Sequence, residues 1–278
     1  MKPRFGLIRA KEFLMKDLYT FDVDIAAAEE TYELVNQQYV KIFEHLKIPF
    51  VKIAADTGAM GGNTSHEYQI LTSIGEDQIV TCNSCQRAVN KELCGSDGKV
   101  CEKCTVSELQ HHQGIEIGHT FILGDKYSKV LKATFLSKAG KPVPLQMGCY
   151  GIGVTRVIAA CIEHLSTEHE IRWPAAIAPY SVCIIPPKEG SKEEASVKHL
   201  TQEIYQQLDD VVVDDRIQMT IGKRLMEAKK LGIPNIIVIG AKAAEAEPKV
   251  ELIANNLSRD LTIYDTISAT KANKVELS

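Results

Sequence analysis

The hydrophobic positions in the first part of the chain predict one long helix and several strands. Between residues 24 and 46 apolar side chains recur every three to four positions, which predicts a helix that ends before Pro49. Shorter apolar runs predict strands at residues 12–21, 50–55, 66–71, 115–123 and 144–150. A further helix is predicted over residues 151–165. The long helix has the pattern of one that covers a sheet.

Beyond Trp173-Pro174 the pattern changes to an alternation of strands and helices. Strands are predicted for SVCIIP, VVVDD, NIIVIG, KVELIA and LTIYD, and helices for residues 192–208 and 220–231. Elements of this length and order predict a small, mostly parallel α/β domain of roughly 100 residues. We therefore predict one domain over residues 1–170 and a second over residues 171–278.

Composition narrows the classes of protein that fit. The chain has 278 residues, 45% of them hydrophobic, with 32 basic and 36 acidic side chains and a net charge of −4. These values exclude disorder, collagen and coiled coil as descriptions of the whole chain. No apolar run approaches the ~20 residues of a membrane-spanning helix, so no membrane is expected as a partner. Because no global basic field exists, any nucleic acid must be bound by a local patch.

Five of the eight cysteines lie in one short segment, at about residues 80–110. Cys82-x-x-Cys85 is followed after fifteen residues by Cys101-x-x-Cys104, which is a usual spacing for structural zinc. Two such pairs place four thiolates around a tetrahedral ion and can stabilise a segment without its own core. The alternative is two reduced thiol pairs in a loop that binds no metal. In either case Cys94 stands outside the frame.

The run Gly148-Cys-Tyr-Gly151-Ile-Gly153-Val-Thr-Arg156 follows one predicted strand and opens a helix. Closely spaced glycines allow a strand end to pack tightly or a ligand to approach the backbone. The planar guanidinium of Arg156, one turn into the helix, suits a polyphosphate. The alternative is a purely structural role, with a pair of glycines that allow close helix packing next to a surface arginine. The run is not a dinucleotide fingerprint, because Arg156 stands where the third glycine would be.

A second candidate cluster lies at the beginning of the chain. Arg4, Arg9 and Lys11 precede Phe13, which lies on the predicted strand of residues 12–21. The cations could bind phosphates while the phenyl ring stacks on a base. A solvated loop followed by a core phenylalanine is the alternative.

Two further runs combine small and polar residues, as a pocket for a small polar ligand does. They are GGNTSHE, which ends in His66 and Glu67, and GHTF, which spans Gly118, His119 and Phe121. A single histidine is more often structural than functional, so neither run defines a site by itself.

In their order along the chain and in their amino-acid sequences, these runs resemble the bacterial and mitochondrial type of prolyl-tRNA synthetase, a class II aminoacyl-tRNA synthetase. PRFGLIRAKEFLMKDLYTFD resembles the second half of motif 2, and ADTGAMGGNTSHEYQ the amino-acid pocket segment. GIEIGHTFILGDKYS and GKPVPLQMGCYGIGVTR resemble the approach to motif 3 and motif 3 itself. WPAAIAPYSV and DDRIQMTIGKRLMEAKKLGIP resemble the anticodon-binding domain. The resemblance covers nearly the whole chain.

The resemblance implies an α+β catalytic domain with a six- or seven-stranded antiparallel sheet, followed by an α/β anticodon-binding domain. It also implies a proline--tRNA ligase reaction with proline, ATP with Mg²⁺, and tRNA(Pro), in a homodimer. Arg156 and Arg9 would contact the ATP triphosphate, and Phe13 would stack on adenine. Five residues would lie at or near the proline pocket: His66, Glu67, Gly118, His119 and Phe121.

In the second domain Arg216, Lys223 and Arg224 precede or open a helix beside a strand end, where α/β sheets usually bind ligands. Given the resemblance, we expect them to contact the anticodon loop. A solvated helix face is the alternative for these three cations.

The sequence departs from the family pattern in two respects. The short cysteine segment stands where bacterial relatives carry a large editing domain, which favours the mitochondrial type and predicts no editing in cis. The resemblance also begins inside motif 2, so we expect this chain alone to lack activity. A non-catalytic tRNA-binding protein derived from a class II synthetase is the alternative function. The expected location is the mitochondrial matrix, with the cytoplasm second.

Overall fold

The computed structural model describes residues 3–85, 87–94, 101, 103–105, 109–168, 170–254 and 257–277. The chain divides into two compact units, Met1–His164 and Leu165–Ser278. None of the helices in these described ranges combines the length and the apolar content needed to cross a membrane.

The first unit is built on one large sheet. Its elements in chain order are β1 (Met15–Asp22), α1 (Ile25–His45), β2 (Val51–Ala54), β3 (Thr64–Leu71), β4 (Asp77–Cys82), β5 (Ala88–Asn90), β6 (Leu109–Gly124), α2 (Lys126–Leu131), β7 (Thr134–Leu136), β8 (Pro142–Pro144), β9 (Gln146–Gly153) and α3 (Val154–Leu165). Seven strands form the sheet in the order β1-β9-β6-β3-β2-β5-β4, and β4 also pairs with β6. Among the described strands of this sheet only the β2–β5 pairing is parallel, so the predicted antiparallel sheet is confirmed.

The long helix α1 forms where the hydrophobic pattern predicts it. The Asp24 side chain accepts a hydrogen bond from the Ala27 amide at 2.9 Å and so caps the helix. Its buried residues include Tyr32, Tyr39 and Phe43, which pack against one face of the sheet. We call this the helix face, and we call the opposite face the site face.

Two details of the first unit differ from the prediction. Helix α3 begins at Val154 and not at Gly151, because residues 151–153 continue β9 and pair with β1. Strands β4 and β5 and the hairpin of β7 and β8 were not predicted. The cysteine segment is thus joined to the sheet by β4, by β5 within it and by the first half of β6.

The second unit contains β10 (Val182–Ile185), α4 (Glu194–Gln207), β11 (Val211–Val213), α5 (Ile221–Leu231), β12 (Asn235–Val238), β13 (Lys249–Ala254), β14 (Leu257–Thr262) and α6 (Ile263–Leu277). Its sheet has the order β11-β10-β12-β13-β14. The two pairings of β10 are parallel and the other two are antiparallel, so the expected mostly parallel sheet is mixed.

The last predicted strand ends earlier than expected, because Thr262 and Asp265 start a helix. The Thr262 hydroxyl accepts from the Asp265 amide at 3.1 Å and donates to the Asp265 carboxylate at 2.7 Å. This reciprocal contact is a helix-start arrangement, and α6 follows. Residues 263–265 therefore belong to α6 and not to a strand.

Candidate active site

The pairing of four strands places polar side chains in a row across the site face. Asp17 of β1 lies opposite Gly151 of β9, Gly151 lies opposite His119 of β6, and His119 lies opposite Glu67 of β3. Directly opposed residues of neighbouring strands project to the same side of a sheet. The row therefore has charged or polar groups on both sides of a glycine, which leaves a gap above Gly151.

A second row runs beside the first and is more apolar. Tyr19, Cys149, Phe121 and Ser65 are paired in that order across the same four strands. Phe121 and Cys149 are buried. These side chains form one wall of the gap above the glycine.

His119 is fixed in position by contacts on each side of its ring. Its Nε2 lies 2.5 Å from the Ser65 hydroxyl, and its Nδ1 lies 3.0 Å from a carboxylate oxygen of Glu116. Its ring stacks on Phe121 with 3.9 Å between the ring centroids. His119 and Phe121 together thus present a rigid aromatic surface to the gap.

Next to these rows the structure brings together three residues predicted to bind ATP. Arg9, Phe13 and Arg156 all line a pocket of about 260 Å³, together with Glu76, Asp77 and Glu116 among others. The Arg156 guanidinium carbon lies 5.7 Å from the centroid of the Phe13 ring. Phe13 is 43% exposed, so its ring is not part of the hydrophobic core.

Carboxylates balance the charge of this pocket. Arg156 Nη1 donates to the Glu116 carboxylate at 2.9 Å and to its carbonyl oxygen at 3.2 Å. Burial alone would raise the pKa of Glu116, but the hydrogen bond from His119 and the charges of His119 and Arg156 lower it overall. Burial, and next the charge of Glu116, raise the pKa of Glu67. The site therefore contains two nearby carboxylates that a bound cation would stabilise.

Two of the predicted proline-pocket residues lie elsewhere. His66 and Gly118 project toward the helix face, because neighbouring residues of a strand alternate between faces. The Tyr32 hydroxyl lies 2.7 Å from His66 Nδ1. A Cβ atom on Gly118 would lie 3.2 Å from the Phe43 ring. The structure thus gives both residues a packing role against α1, while Glu67, His119 and Phe121 lie on the site face.

We expect His66 to make the stability of the first unit depend on pH. Burial lowers the pKa of His66 below its ordinary 6.5, so the unfolded state takes up the proton first as the pH falls. The stabilising contribution is complete above pH 6.5 and is lost as the pH falls toward the lower pKa of the folded state.

The test compares urea unfolding of the wild type and His66→Gln at pH 7.5 and 5.5, followed by the near-ultraviolet signal of the tyrosines. The wild type should lose more free energy of unfolding on acidification than the variant does. Equal losses in the two proteins would contradict this role of His66.

Glu76 was not predicted as a site residue, yet it connects the beginning of the chain to the pocket. Its two carboxylate oxygens form ion pairs with Arg4 and with Arg9. Arg4 and Arg9 also pair with each other through their backbones, with Arg4 N and Arg9 O 3.1 Å apart. Residues 4–9 thus form a small hairpin that one carboxylate ties to the sheet.

Replacing Glu76 with glutamine should loosen this hairpin. Both ion pairs lose their anion, so trypsin should cleave after Arg4 and Arg9 several times faster in nucleotide-free Glu76→Gln than in the wild type. Mass spectrometry of the released peptides measures the rates. Glu44→Gln, on the exposed side of α1, is the control, and equal rates in all three proteins would show that Glu76 does not tie the hairpin.

The four cysteines of the predicted metal site converge. Their sulfur atoms all lie within 4.8 Å of one another. The Cys82–Cys104 and Cys85–Cys101 sulfur distances are both 3.6 Å. A tetrahedral zinc ion with Zn–S bonds of about 2.3 Å needs sulfur separations of ~3.8 Å, so the arrangement fits.

Backbone amides support the same interpretation of the cysteine cluster. Amides of Cys85 and Ser84 donate to Cys82 and lower its pKa. In the second pair, amides of Cys104 and Lys103 donate to Cys101 and lower its pKa to about 6. The first cysteine of each pair thus receives two amides that favour its thiolate, whereas burial and hydrogen bonds with the other sulfurs raise the pKa of Cys85 to about 11.

In the second unit the three predicted anticodon contacts have different environments. Arg216 is half exposed and forms ion pairs with Asp214 at 2.7 Å and Glu227 at 2.5 Å. Lys223 is exposed.

Arg224 is fully buried, and it donates to the carbonyl oxygens of Pro186 at 2.7 Å and of Asp214 at 3.2 Å. Arg224 therefore holds loops of the unit together and offers no surface to an RNA loop, contrary to the expectation.

An antiparallel sheet with an arginine-lined pocket on one face, followed by a small α/β unit, characterises a class of nucleotide-using synthetases. Residues 2–165 match the family described as tRNA synthetase class II core domain (G, H, P, S and T), and residues 181–271 match the anticodon binding domain. The chain belongs to the class II tRNA synthetases.

Relatives from animals, a yeast and a bacterium are named proline--tRNA ligases. The chain is 46% identical over 262 residues to the probable mitochondrial proline--tRNA ligase of Homo sapiens, covering 92% of this chain and 55% of the relative. It is 39% identical to the corresponding protein of Schizosaccharomyces pombe, over 88% of this chain and 58% of the relative. It is 37% identical to the proline--tRNA ligase of Wolbachia pipientis, and the match covers 96% of this chain and 65% of the relative. The chain thus spans less than two thirds of the length of these relatives.

A solved structure has the same fold. Prolyl-tRNA synthetase from Cryptosporidium parvum, complexed with halofuginone and AMPPNP, superposes with a TM-score of 0.73 at 19% identity. The match covers 98% of this chain and 50% of that one.

Proposed function

We propose that this protein activates proline with ATP and transfers the prolyl group to the terminal adenosine of tRNA(Pro). The observation that carries the proposal is the convergence of Arg9, Phe13 and Arg156 on one pocket beside the polar row of the site face. The similarity to proline--tRNA ligases supports the same specificity.

Both steps are displacements that need no covalent bond to the enzyme. In the first, a carboxylate oxygen of proline attacks the α-phosphorus of ATP, and pyrophosphate leaves as prolyl-adenylate forms. In the second, a hydroxyl of the terminal adenosine attacks the prolyl carbonyl, and AMP leaves. Arg9 and Arg156 would neutralise the phosphates while Phe13 stacks on the base, so the residues act by positioning and electrostatics.

The gap above Gly151 suits a small amino acid. A Cβ atom at Gly151 would lie 3.1 Å from Met15 Cε and 3.5 Å from an Asp17 carboxylate oxygen, so any larger residue would push against Met15 and narrow this space. The Asp17 carboxylate can accept hydrogen bonds from an ammonium group, and the His119–Phe121 stack provides an apolar wall. Asp17 and Gly151 were not among the predicted site residues.

Metal ions enter the proposal in two places. ATP reacts as its Mg²⁺ complex, and the oxygen ligands that this ion prefers are present in Glu67 and Glu116. Zinc bound by Cys82, Cys85, Cys101 and Cys104 would join the turn between β4 and β5 to the segment between β5 and β6.

The anticodon binding domain supports tRNA as the partner, and the names of the relatives support a mitochondrial location. The homodimer implied by the resemblance stays a prediction.

Binding of a non-reactive adenylate tests the proposal without requiring turnover. Calorimetry with the sulfamoyl analogues of prolyl- and alanyl-adenylate should show the prolyl compound bound at least tenfold more tightly, because each methylene in a fitted pocket contributes roughly 1–3 kcal/mol. Equal affinities, or no binding of either compound, would contradict the assignment of this site.

A further inference from the structure

One surface of the first unit carries positive charge that the proposed reaction does not use. From Lys126 to Lys141, directly after Asp125, the sequence contains five lysines and no acidic residue, in a chain whose net charge is −4. The lysines are Lys126, Lys129, Lys132, Lys138 and Lys141, and all five are exposed. A cluster of positive charge of this kind is expected on a surface that binds a polyanion.

The lysines are presented by one compact platform, which consists of α2 and the hairpin of β7 and β8. Ser128 of α2 is fully buried, and its hydroxyl donates to the Leu145 carbonyl at 2.5 Å. The Leu145 amide in turn donates to the Ala133 carbonyl at 3.1 Å. These contacts fasten α2 to the segment that follows the hairpin, so the lysines around α2 and those of the β7–β8 turn, Lys138 and Lys141, belong to one connected platform.

The platform lies on the site face of the sheet. Tyr127 of α2 packs against the cluster of Phe121, Leu123, Met147 and Cys149. Phe121 and Cys149 belong to the apolar row beside the proposed proline gap. The basic surface therefore borders the site.

The platform also exposes apolar side chains. Val130, Leu131 and Leu136 are 79%, 74% and 73% exposed, so the described part of the chain leaves this surface uncovered. A membrane is a poor partner for it, because α2 has only six residues and is too short for an amphipathic membrane helix.

We propose that this platform binds the phosphate backbone of the acceptor arm of a tRNA. The inference rests on the proposed function, since that function requires the end of an RNA to reach the site that the platform borders. Lysine is a flexible point charge that binds phosphates without reading bases. Lys126 is set apart from the other four, because its ammonium group donates to the carbonyl oxygens of Ala59 at 2.9 Å and Met60 at 3.0 Å.

The test compares RNA binding by two double variants and a matched control. Lys129→Gln/Lys132→Gln removes charge from the helix, and Lys138→Gln/Lys141→Gln removes it from the hairpin. Lys41→Gln/Lys91→Gln removes the same charge from two other lysines of the first unit. Dissociation constants for a hairpin RNA with only the acceptor stem are measured at several salt concentrations, beside a hairpin with only the anticodon stem.

For the acceptor hairpin we expect each platform variant to bind at least fivefold more weakly at low salt than the control. The slope of the logarithm of the binding constant against the logarithm of the salt concentration should become less steep by about 0.9 for each phosphate that the variant no longer neutralises. Binding of the anticodon hairpin and of the prolyl-adenylate analogue should be unchanged in all variants.

Equal affinities and slopes in platform and control variants would overturn the proposal, as would an equal loss for both RNA hairpins. Binding of anionic vesicles that follows the same lysines, without binding of the acceptor hairpin, would also overturn it. A failure of the proposed function would appear separately, as loss of discrimination between the two adenylate analogues in the wild type.

Discussion

Replacing Arg156 with alanine is expected to lower kcat/KM for ATP in proline activation by well over tenfold. Arg156 lies in the pocket with Arg9 and Phe13, where its planar guanidinium can donate two hydrogen bonds to phosphate oxygens. Removal of one preorganised donor to a developing negative charge typically costs 10²–10³ in rate, or ~2.7–4 kcal/mol. Arg156→Lys keeps the positive charge but cannot donate two parallel hydrogen bonds, so its activity should lie between those of the wild type and Arg156→Ala.

The measurement is ATP–pyrophosphate exchange in a form of the protein that shows exchange, together with thermal melting to exclude unfolding. Arg259→Ala, in an exposed position on β14, serves as the matched control. Wild-type kinetics for Arg156→Ala would show that this residue does not bind the phosphates.

The second large effect is expected at the cysteine cluster. Replacing Cys101 with serine removes one of four converging sulfurs, and structural zinc sites have apparent binding free energies of ~10–16 kcal/mol. Cys82 ends β4 and pairs with Leu109 at the start of β6, the strand that carries Glu116 and His119. We therefore expect Cys101→Ser to lose its zinc and to bind the prolyl-adenylate analogue at least tenfold more weakly.

Elemental analysis of the purified wild type should give about one zinc per chain, and Cys101→Ser should contain almost none. Cys94→Ser is the control, because Cys94 does not belong to the cluster of four. Less than about half an equivalent of zinc in a wild type with fully reduced thiols would refute the metal site.

The elements with strong periodicity could be predicted from the sequence. The pattern over residues 24–46 corresponds to α1, because its buried positions recur along one side of the helix and Asp24 supplies the cap. Short strands were missed: β5 has only three residues, and although it pairs with the preceding strand β4, its other partner β2 lies far back in the chain. Pairing between distant segments leaves no local signal in the sequence.

The sequence likewise predicted some residues of the candidate site and missed others. Arg9, Phe13 and Arg156 have a local signature of cations, aromatic and glycines, and the structure brings them to one pocket. Glu76 and Glu116 have no such signature, because each is recognised only through an arginine that folding brings to it.

The sequence contained a signal for the observed side-chain positions of two other predicted site residues, His66 and Arg224. His66 and Glu67 are adjacent in a strand, so both could not face one pocket. Arg224 falls in the stripe of Ile221, Leu225 and Ala228, which is the side of α5 that packs inward.

Proline-dependent ATP–pyrophosphate exchange tests the central claim most directly. It should be measured on this chain and on a longer form made by adding the preceding segment of the human relative, with alanine as the competing amino acid. We expect the longer form to catalyse exchange with proline and not with alanine. Absence of exchange in both proteins, with tRNA binding intact, would contradict the ligase function and favour a non-catalytic tRNA-binding protein.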